Sequence, residues 1–216
     1  MGQYAETSKL WDKWKWHYKK WIDDLVVNIY FTKHLAELDQ KGWQGDTGQN
    51  RSGFFSLLFW QKLNDEKNND LTLQGKYNYD NVSMWAKKFL PEKDIFNLKN
   101  IFIPINHNNQ HWMWVVIFMK KKRIQYYDSN GVGSGERHLT IILRYLMDVD
   151  KEQQRVKSDE WMLVPCTTNV PQQKNGFVCG VFICMFGYFI LHDCSLLFNE
   201  ADVTSFQNEW HLQSWI

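Results

Sequence analysis

From residue 22 onward the apolar positions first recur every three or four residues. Ile22, Leu25, Val26, Ile29 and Tyr30 keep that spacing, and Asp23 and Asp24 stand where a helix dipole favours acids, so 22–38 is expected to be a helix. Gly42, Gly45, Gly48 and Gly53 interrupt the pattern and predict a loop over 40–53. The apolar, aromatic run 54–63 fits a helix or a strand equally. Residues 64–78, rich in Asn, Asp and Lys, read as a second solvated loop. Asp80–Leu90 reads as a short helix, with Asp80 as N-cap, Val82, Trp85 and Phe89 on one face, and Pro91 at its end.

The period then changes. Asn100–Asn106, Trp112–Met119 and Arg123–Asp128 are short runs of strand character, and Lys120–Lys122 is a turn that pairs the last two as a hairpin. Glu136–Val149 returns to helical spacing through Leu139, Ile142, Leu143, Leu146 and Val149. Trp161–Pro165 is a brief strand. Gly176–Leu191 is apolar nearly throughout, as in a helix buried on all sides. An amphipathic helix around Val203, Phe206 and Trp210 is expected over 199–216. Helices, a cluster of strands, a helix, a strand and a core helix make an α+β fold, with a small central sheet packed on one apolar helix.

Composition narrows the picture. A chain of 216 residues, 44% hydrophobic and 23% charged, buries a core as one domain and is not a disordered polymer. A net charge of +1 does not call for nucleic acid or an anionic membrane as partner. Tryptophan is abundant, at 12, so some indoles belong to the core and others can line a binding surface. Trp11, Trp14, Trp16 and Trp21 lie among lysines in Lys9–Trp21, a stretch that could stack on nucleic acid. The balanced charge favours instead an arm, residues 1–20, packing its indoles on a domain of 21–216. No run reaches the roughly 18 apolar residues needed to span a bilayer. The polar N-terminus, Met1–Leu10, is no signal peptide. Cys166, Cys179, Cys184 and Cys194 lack metal-ligand pairing and read as reduced thiols of an intracellular protein, nuclear or cytoplasmic. No phosphate loop or dinucleotide fingerprint occurs, so neither cofactor nor metal is expected.

Cys179 has a different setting from the other cysteines. It follows the polar segment Pro171–Gly176 and opens the most apolar helix, where the positive end of the dipole favours a thiolate. Gly176 and Gly180 let other groups approach the sulfur. Cys184 and Cys194 read as core thiols. A nucleophilic thiol needs a base, usually His. His111 ends the loop Asn106–Gln110 and begins a strand, while His107 competes from within that loop. Asp128 ends the partner strand before Ser129-Asn130-Gly131, and the hairpin brings it to the same edge as His111. It can orient the base, cap the turn, or do both. Oxyanion donors can come from the backbone N–H of Cys179 and from a glutamine amide, with Gln172 and Gln173 not separated by position.

Four blocks carry a resemblance. They are Trp21-Ile22-Asp23-Asp24; Ile103-Pro104-Ile105-Asn106 leading to His111-Trp112; Tyr127-Asp128-Ser129; and Pro171-Gln172-Gln173 with Asn175-Gly176 and Cys179-Gly180. Asp128 lies 17 residues after His111, and Gln173 six before Cys179. In these respects the chain resembles the SUMO/sentrin-specific proteases, the ubiquitin-like protease family of cysteine peptidases. The resemblance implies a papain-like fold, with Cys179 as nucleophile, His111 rather than His107 as base, Asp128 as orienter and Gln173 rather than Gln172 at the oxyanion. It implies that Trp21 and Trp112 clamp the Gly-Gly tail of a ubiquitin-like modifier, that Trp85 lies on a substrate-facing helix, and that Asp24 meets an Arg of the modifier. The expected partner is SUMO and its conjugates, acted on by a monomer without nucleic acid or membrane. Ubiquitin or another modifier on the same fold, or acetyl transfer by the same Cys-His chemistry, are the competing expectations. Phe177-Val178 departs from the family, which commonly has Ser-Asp or Tyr-Asp before Cys-Gly. The loops 40–53 and 64–78 also differ from its usual lengths.

Overall fold

Alternation along three strands sets the architecture. In the computed structural model, which describes residues 22–43, 51–64, 77–131, 133–154, 160–166, 170–203 and 205–206, β2 (Asn100–His107), β3 (His111–Phe118) and β4 (Arg123–Tyr127) form an antiparallel meander. β1 (Gly53–Phe54) adds in parallel to β2, and β5 (Met162–Val164) in parallel to β4. The sheet is therefore mixed, in the order β1-β2-β3-β4-β5. Successive side chains point to opposite faces. Phe102, Trp112, Trp114, Val116, Phe118 and Tyr127 join one buried cluster, and Ile101, Ile103, Met113, Val115, Ile117 and Tyr126 join the other. With both faces covered, the strands read as unbroken apolar runs rather than alternating ones.

The helices are α1 (Asp24–Ile29), α2 (Ala36–Trp43), α3 (Leu57–Leu63), α4 (Trp85–Phe89), α5 (Glu136–Glu152) and α6 (Cys179–Leu191). α6 packs on β3, while α3 packs on β2 and α5 on β4 from the opposite face. The Trp114 indole N–H donates to the Ile183 carbonyl at 2.6 Å and pins β3 to the middle of α6. Burying that indole removes ~200 Å² from water, which at about 25 cal/mol per Å² contributes about 5 kcal/mol.

Several expectations are corrected. The first helix runs beyond residue 38 to Trp43, so 40–43 is helical rather than loop. Its middle, Tyr30–Leu35, winds as a π-helix, and the wide turn lets both Tyr30 and Phe31 be buried. Asp23 caps this helix by accepting the Leu25 N–H at 2.7 Å. The ambiguous run 54–63 is both: β1 ends at Phe54 and α3 begins at Leu57. Asp80 is not an N-cap. Residues 80–84 form turns, α4 starts at Trp85 after Met84, and Phe89 is 54% exposed rather than sharing a buried face with Val82. The competing force is tertiary: the Tyr77 and Tyr79 hydroxyls donate to Asp148 and Glu152 of α5, each at 2.5 Å, and tie this stretch to another element. α6 begins at Cys179, three residues later than expected, because Asn175 Oδ1 first accepts the N–H groups of Phe177 (3.0 Å) and Val178 (3.2 Å). At the C-terminal side, 200–203 and 205–206 are helical, and Trp210 lies outside the described residues, as does the 1–20 arm.

Gly187 marks the closest approach of α6 to its neighbours. A Cβ there would sit 2.9 Å from Leu35 Cδ1 and 3.2 Å from Trp114 Cζ2, both fully buried. Gly→Ala inside a helix ordinarily stabilises by roughly 0.5–1 kcal/mol. Here overpacking wins, and Gly187→Ala is expected to lower stability by about 1–3 kcal/mol. Urea unfolding checks this, and an unchanged or raised midpoint would show that α6 has room to spare.

Candidate active site

The edge of the β3–β4 hairpin brings three chemically distinct groups to one place. His111 is the first residue of β3, and Asp128 follows the last residue of β4. Asp128 is 1% exposed, so its carboxylate must find partners inside the protein. Oδ1 accepts His111 Nε2 at 2.7 Å and the Asn130 N–H at 2.8 Å, and Oδ2 accepts the Tyr126 hydroxyl at 3.5 Å. Asp128 therefore caps its turn and holds the imidazole at the same time. The Tyr126 ring is itself wedged: it stacks on His138 at 5.2 Å and occupies the space a Cβ on Gly135 would need. Gly135 sits at φ +73°, a second reason for glycine there. Burial pushes His138 down to about 4, aided by Arg137 and His107 and opposed by Asp128, so this ring is neutral at pH 7.

The Cys179 side chain also lies close enough to His111 to help raise its pKa. With Nε2 engaged by Asp128, the ring nitrogen left for the sulfur is Nδ1. Burial alone would lower the pKa of His111. The hydrogen bond to Asp128, the approach of Cys179, and the negative charge of both, outweigh burial and raise it to about 9. Cys179 is 2% exposed and opens α6. The first N–H groups of a helix have no partner within it and carry the positive end of its dipole. A sulfur nucleophile, a cationic imidazole and backbone donors thus share one corner, an arrangement able to perform acyl transfer.

The loop before α6 supplies the fourth group. Gln173 is fixed at three points: Ser129 Oγ donates to its Oε1 at 2.6 Å, its backbone N–H donates to the Ser129 carbonyl at 2.8 Å, and its Nε2 donates to the Asn175 carbonyl at 2.6 Å. With the oxygen end held and one Nε2 hydrogen given to Asn175, the second Nε2 hydrogen is the available donor. Gln172 has a different place. Its Nε2 donates to the carbonyls of Val170 (3.0 Å) and Asp128 (3.3 Å), bracing the loop against the hairpin. Geometry thereby separates two residues that position in the chain did not.

The remaining predicted residues are scattered around this corner. Trp112 is 2% exposed, and its Cδ1 lies 3.2 Å from where a Cβ on Gly180 would be. Asp24 is half-buried and accepts Asn106 Nδ2 at 2.7 Å. Burial raises its pKa, the Asn106 bond opposes that, and Asp23 adds to it. Trp85 is on the opposite face of the sheet from Cys179, half-buried against Phe59, with Met84 57% exposed beside it. Trp21 lies outside the described residues. His107 pairs with His111 in the strand ladder, and its ring contacts the Asn108 side chain. Cys166 donates to the Asp128 carbonyl at 3.5 Å, and burial pushes the Cys184 thiol well up. None of the four cysteines is in a disulfide, and Cys194, expected as a core thiol, is exposed, whereas Cys184 is buried. Among the described residues no group of three or more His, Cys, Asp and Glu could hold a metal, and no helix is long and apolar enough to cross a membrane.

Sequence reasoning missed Ser129, Gln172 as a brace, Asn175, Tyr126 and Glu200. Ser129 and Asn175 are turn-forming residue types flanking the candidate groups, which was a usable signal. Glu200 gave none, because its contacts with Lys174 and Asn175 join segments 25 or more residues apart.

Known proteins share this pattern. The Ulp1 protease family, C-terminal catalytic domain, matches residues 20–214. Sentrin-specific protease 2 of Homo sapiens is 30% identical over 192 residues, which are 88% of this chain and 29% of that protein. Putative ubiquitin-like-specific protease 1B of Arabidopsis thaliana is 29% identical over 191 residues, 87% of this chain and 52% of that protein. The chain thus spans about half the length of these curated relatives, or less. Among solved structures, the C-terminal Ulp1 protease domain in complex with Smt3, the yeast ortholog of SUMO, matches with a TM-score of 0.65 at 25% identity, covering 86% of this chain and 72% of that one. SUMO protease Ulp1 with its catalytic cysteine oxidised to a sulfinic acid matches at 0.66 and 25%, covering 87% and 74%. The α+β fold, a mixed sheet packed on the helix that begins at Cys179, is the fold of these cysteine proteases.

The raised pKa of His111 has a signed consequence. Protonation of a group whose pKa is higher folded than unfolded stabilises the fold fully below the unfolded value, here near 6.5, and that contribution is lost as pH rises through about 9. Asp128→Asn removes a main cause. The imidazole titration of His111, followed by NMR, is expected to move from about 9 in the unsubstituted chain toward 6.5. A midpoint that stays near 9 in the variant would show that Asp128 does not hold the proton.

Proposed function

The chain belongs to the Ulp1 protease family, and from that premise we propose that it is a thiol protease cleaving after the C-terminal Gly-Gly of a ubiquitin-like modifier, SUMO foremost. The observation that carries this reading is His111 bridging Asp128 and Cys179 at the start of α6. The Cys179 thiolate adds to the carbonyl carbon of the terminal glycine. The resulting oxyanion meets the Cys179 N–H and Gln173 Nε2. Collapse of the tetrahedral intermediate breaks the C–N bond, and the His111 imidazolium gives its proton to the departing amine. Water, deprotonated by the now neutral His111, then attacks the thioester and releases the modifier with a free carboxylate. Asp128 holds the imidazole throughout.

Recognition follows from the surrounding groups. The family resemblance assigns Trp112, with Trp21, to a clamp on the Gly-Gly tail, since two indole faces admit only residues without side chains. Asp24, held by Asn106, takes an arginine of the modifier. Trp85 and exposed Phe89 on α4, with exposed Met84 just before it, offer apolar surface to the modifier. The related Ulp1 domain binds Smt3, which supports SUMO as the partner here. Residues 21–216 act as one catalytic domain, as a monomer without cofactor, and cysteines in no disulfide suit an intracellular setting, nuclear or cytoplasmic.

A panel of modifiers carrying C-terminal electrophiles tests the reading. SUMO is expected to label Cys179, whereas labelling by ubiquitin alone would move the substrate to another modifier and labelling by none would overturn the reading. Cys179→Ala is expected to cut turnover by roughly 10⁴-fold or more while leaving SUMO binding in place.

A further inference from the structure

We infer that Glu200 is a positioning residue for the oxyanion side of this site, its carboxylate locking the loop Gln173–Val178 into the shape that presents the Gln173 amide and the Cys179 N–H. The inference rests on the proposed protease chemistry and extends it to a residue that touches no reacting atom.

The loop has few ways to hold itself. Residues 171–178 are Pro-Gln-Gln-Lys-Asn-Gly-Phe-Val, with no carboxylate and with a glycine near the turn into α6. A carboxylate arrives from outside. Glu200 Oε1 accepts Asn175 Nδ2, and Oε2 accepts the Lys174 N–H at 3.2 Å. The other end of the same Asn175 amide, Oδ1, accepts the N–H groups of Phe177 and Val178 just before α6 begins. The Asn175 main-chain carbonyl accepts Gln173 Nε2. One asparagine therefore connects the side-chain donor of the oxyanion site to the residues that lead into the Cys179 N–H.

Glu200 decides which way that asparagine points. A carboxylate only accepts, and a main-chain N–H only donates. Turning the Asn175 amide over would set its oxygen against the Glu200 oxygen and its NH₂ against two N–H donors. Both contacts would be repulsive, so the observed orientation is the one the carboxylate enforces. Without it, Asn175 Nδ2 loses its acceptor and only the two N–H groups on Oδ1 hold the amide, so the support of Gln173 and of the first turn of α6 slackens together.

The clamp is itself well anchored. Phe198, two residues earlier, is buried among Phe182, Phe186 and Phe189 of α6, with ring centroids 5.1–5.7 Å apart. Val203, three residues later, is buried in the same cluster. Between them the chain enters a helical turn in which Asn199 Oδ1 accepts the Ala201 N–H and Asp202 Oδ2 accepts the Asn199 N–H, both at 2.8 Å. The backbone carrying Glu200 is thus fixed to α6, the helix whose first residue is Cys179.

Kinetics on SUMO carrying a C-terminal aminomethylcoumarin test the clamp. Deleting an oxyanion donor outright costs about 10²–10³ in kcat, so loosening its support by Glu200→Ala is expected to cost about 10-fold in kcat with KM within about twofold. Glu200→Gln keeps the shape but can accept at only one oxygen, and is expected to fall between the two. Asn175→Ala should match Glu200→Ala, and the double variant should lose about 10-fold rather than about 100-fold, because both act through one network. Alkylation of Cys179 by iodoacetamide forms no oxyanion and is expected to keep its rate. Unchanged kcat in Glu200→Ala, a multiplicative double variant, or a joint collapse of kcat, KM and melting temperature would overturn the clamp. Unsubstituted protein that neither cleaves SUMO–coumarin nor labels at Cys179 overturns the protease reading and the clamp with it. Active unsubstituted protein with an equally active Glu200→Ala overturns the clamp alone.

Discussion

The charge of Asp128 is the constraint on which the site depends. A carboxylate at 1% exposure destabilises the fold by several kcal/mol unless its lone pairs are met. The protein meets them with the His111 imidazole, the Asn130 N–H and the Tyr126 hydroxyl, and it covers the same residue's carbonyl with Gln172 and Cys166. Tyr126 and Asn130 stand two residues either side of Asp128, while His111 comes from β3 and Gln172 from the loop before α6, so the bonds of one buried residue align the β3 edge, the turn after β4 and that loop. His111, held on one side by Asp128, has its other nitrogen for Cys179. A stability requirement and a catalytic geometry are met by the same bonds.

α6 imposes the complementary demand. It is buried along nearly its whole length, and Trp114 fixes it to β3 through the Ile183 carbonyl. Such a helix cannot rotate to suit chemistry, and its first-turn donors stay where packing puts them. The preceding loop must adapt. Asn175 takes up the Phe177 and Val178 N–H groups, which delays the helix to Cys179 and leaves the Cys179 N–H at the helix mouth rather than inside it.

Legibility in the sequence followed the range of the forces. The three central strands and α5 were readable because their buried faces write unbroken or periodic apolar patterns. The hairpin brought His111 to Asp128 on geometry alone, since its turn, Lys120–Lys122, was visible. Choosing His111 over His107 and Gln173 over Gln172 required the family resemblance. The structure shows what distinguishes Gln173, namely Ser129 on its amide oxygen, a contact spanning 44 residues. The π-turn at Tyr30–Leu35 was hidden because it answers to the size of the pocket for Tyr30 and Phe31, not to local propensity. The assignment of Asp80 as a cap failed because Tyr77 and Tyr79 are tied to α5 from 70 and more residues away. Local rules name the residue types at such places but not the partner that decides between them.

The departure at Val178 fits the same electrostatic logic. An acid next to the sulfur would place a negative charge within a few ångströms of a thiolate and of an oxyanion, and at 4 Å even an effective dielectric of 20 makes like charges repel by about 4 kcal/mol. In this chain both acids that serve the site stand one group further back. Asp128 acts through the His111 imidazolium, and Glu200 acts through the neutral amide of Asn175. Each intermediary keeps the orienting power of a carboxylate and removes its charge from the reacting atoms. Val178, next to Cys179 in the chain, is half-buried and packs on the core, and contributes an apolar side chain there instead of a charge. The residue that breaks the family pattern adds no charge at the helix mouth, and the carboxylate that braces the loop comes from Glu200, 22 residues further along the chain.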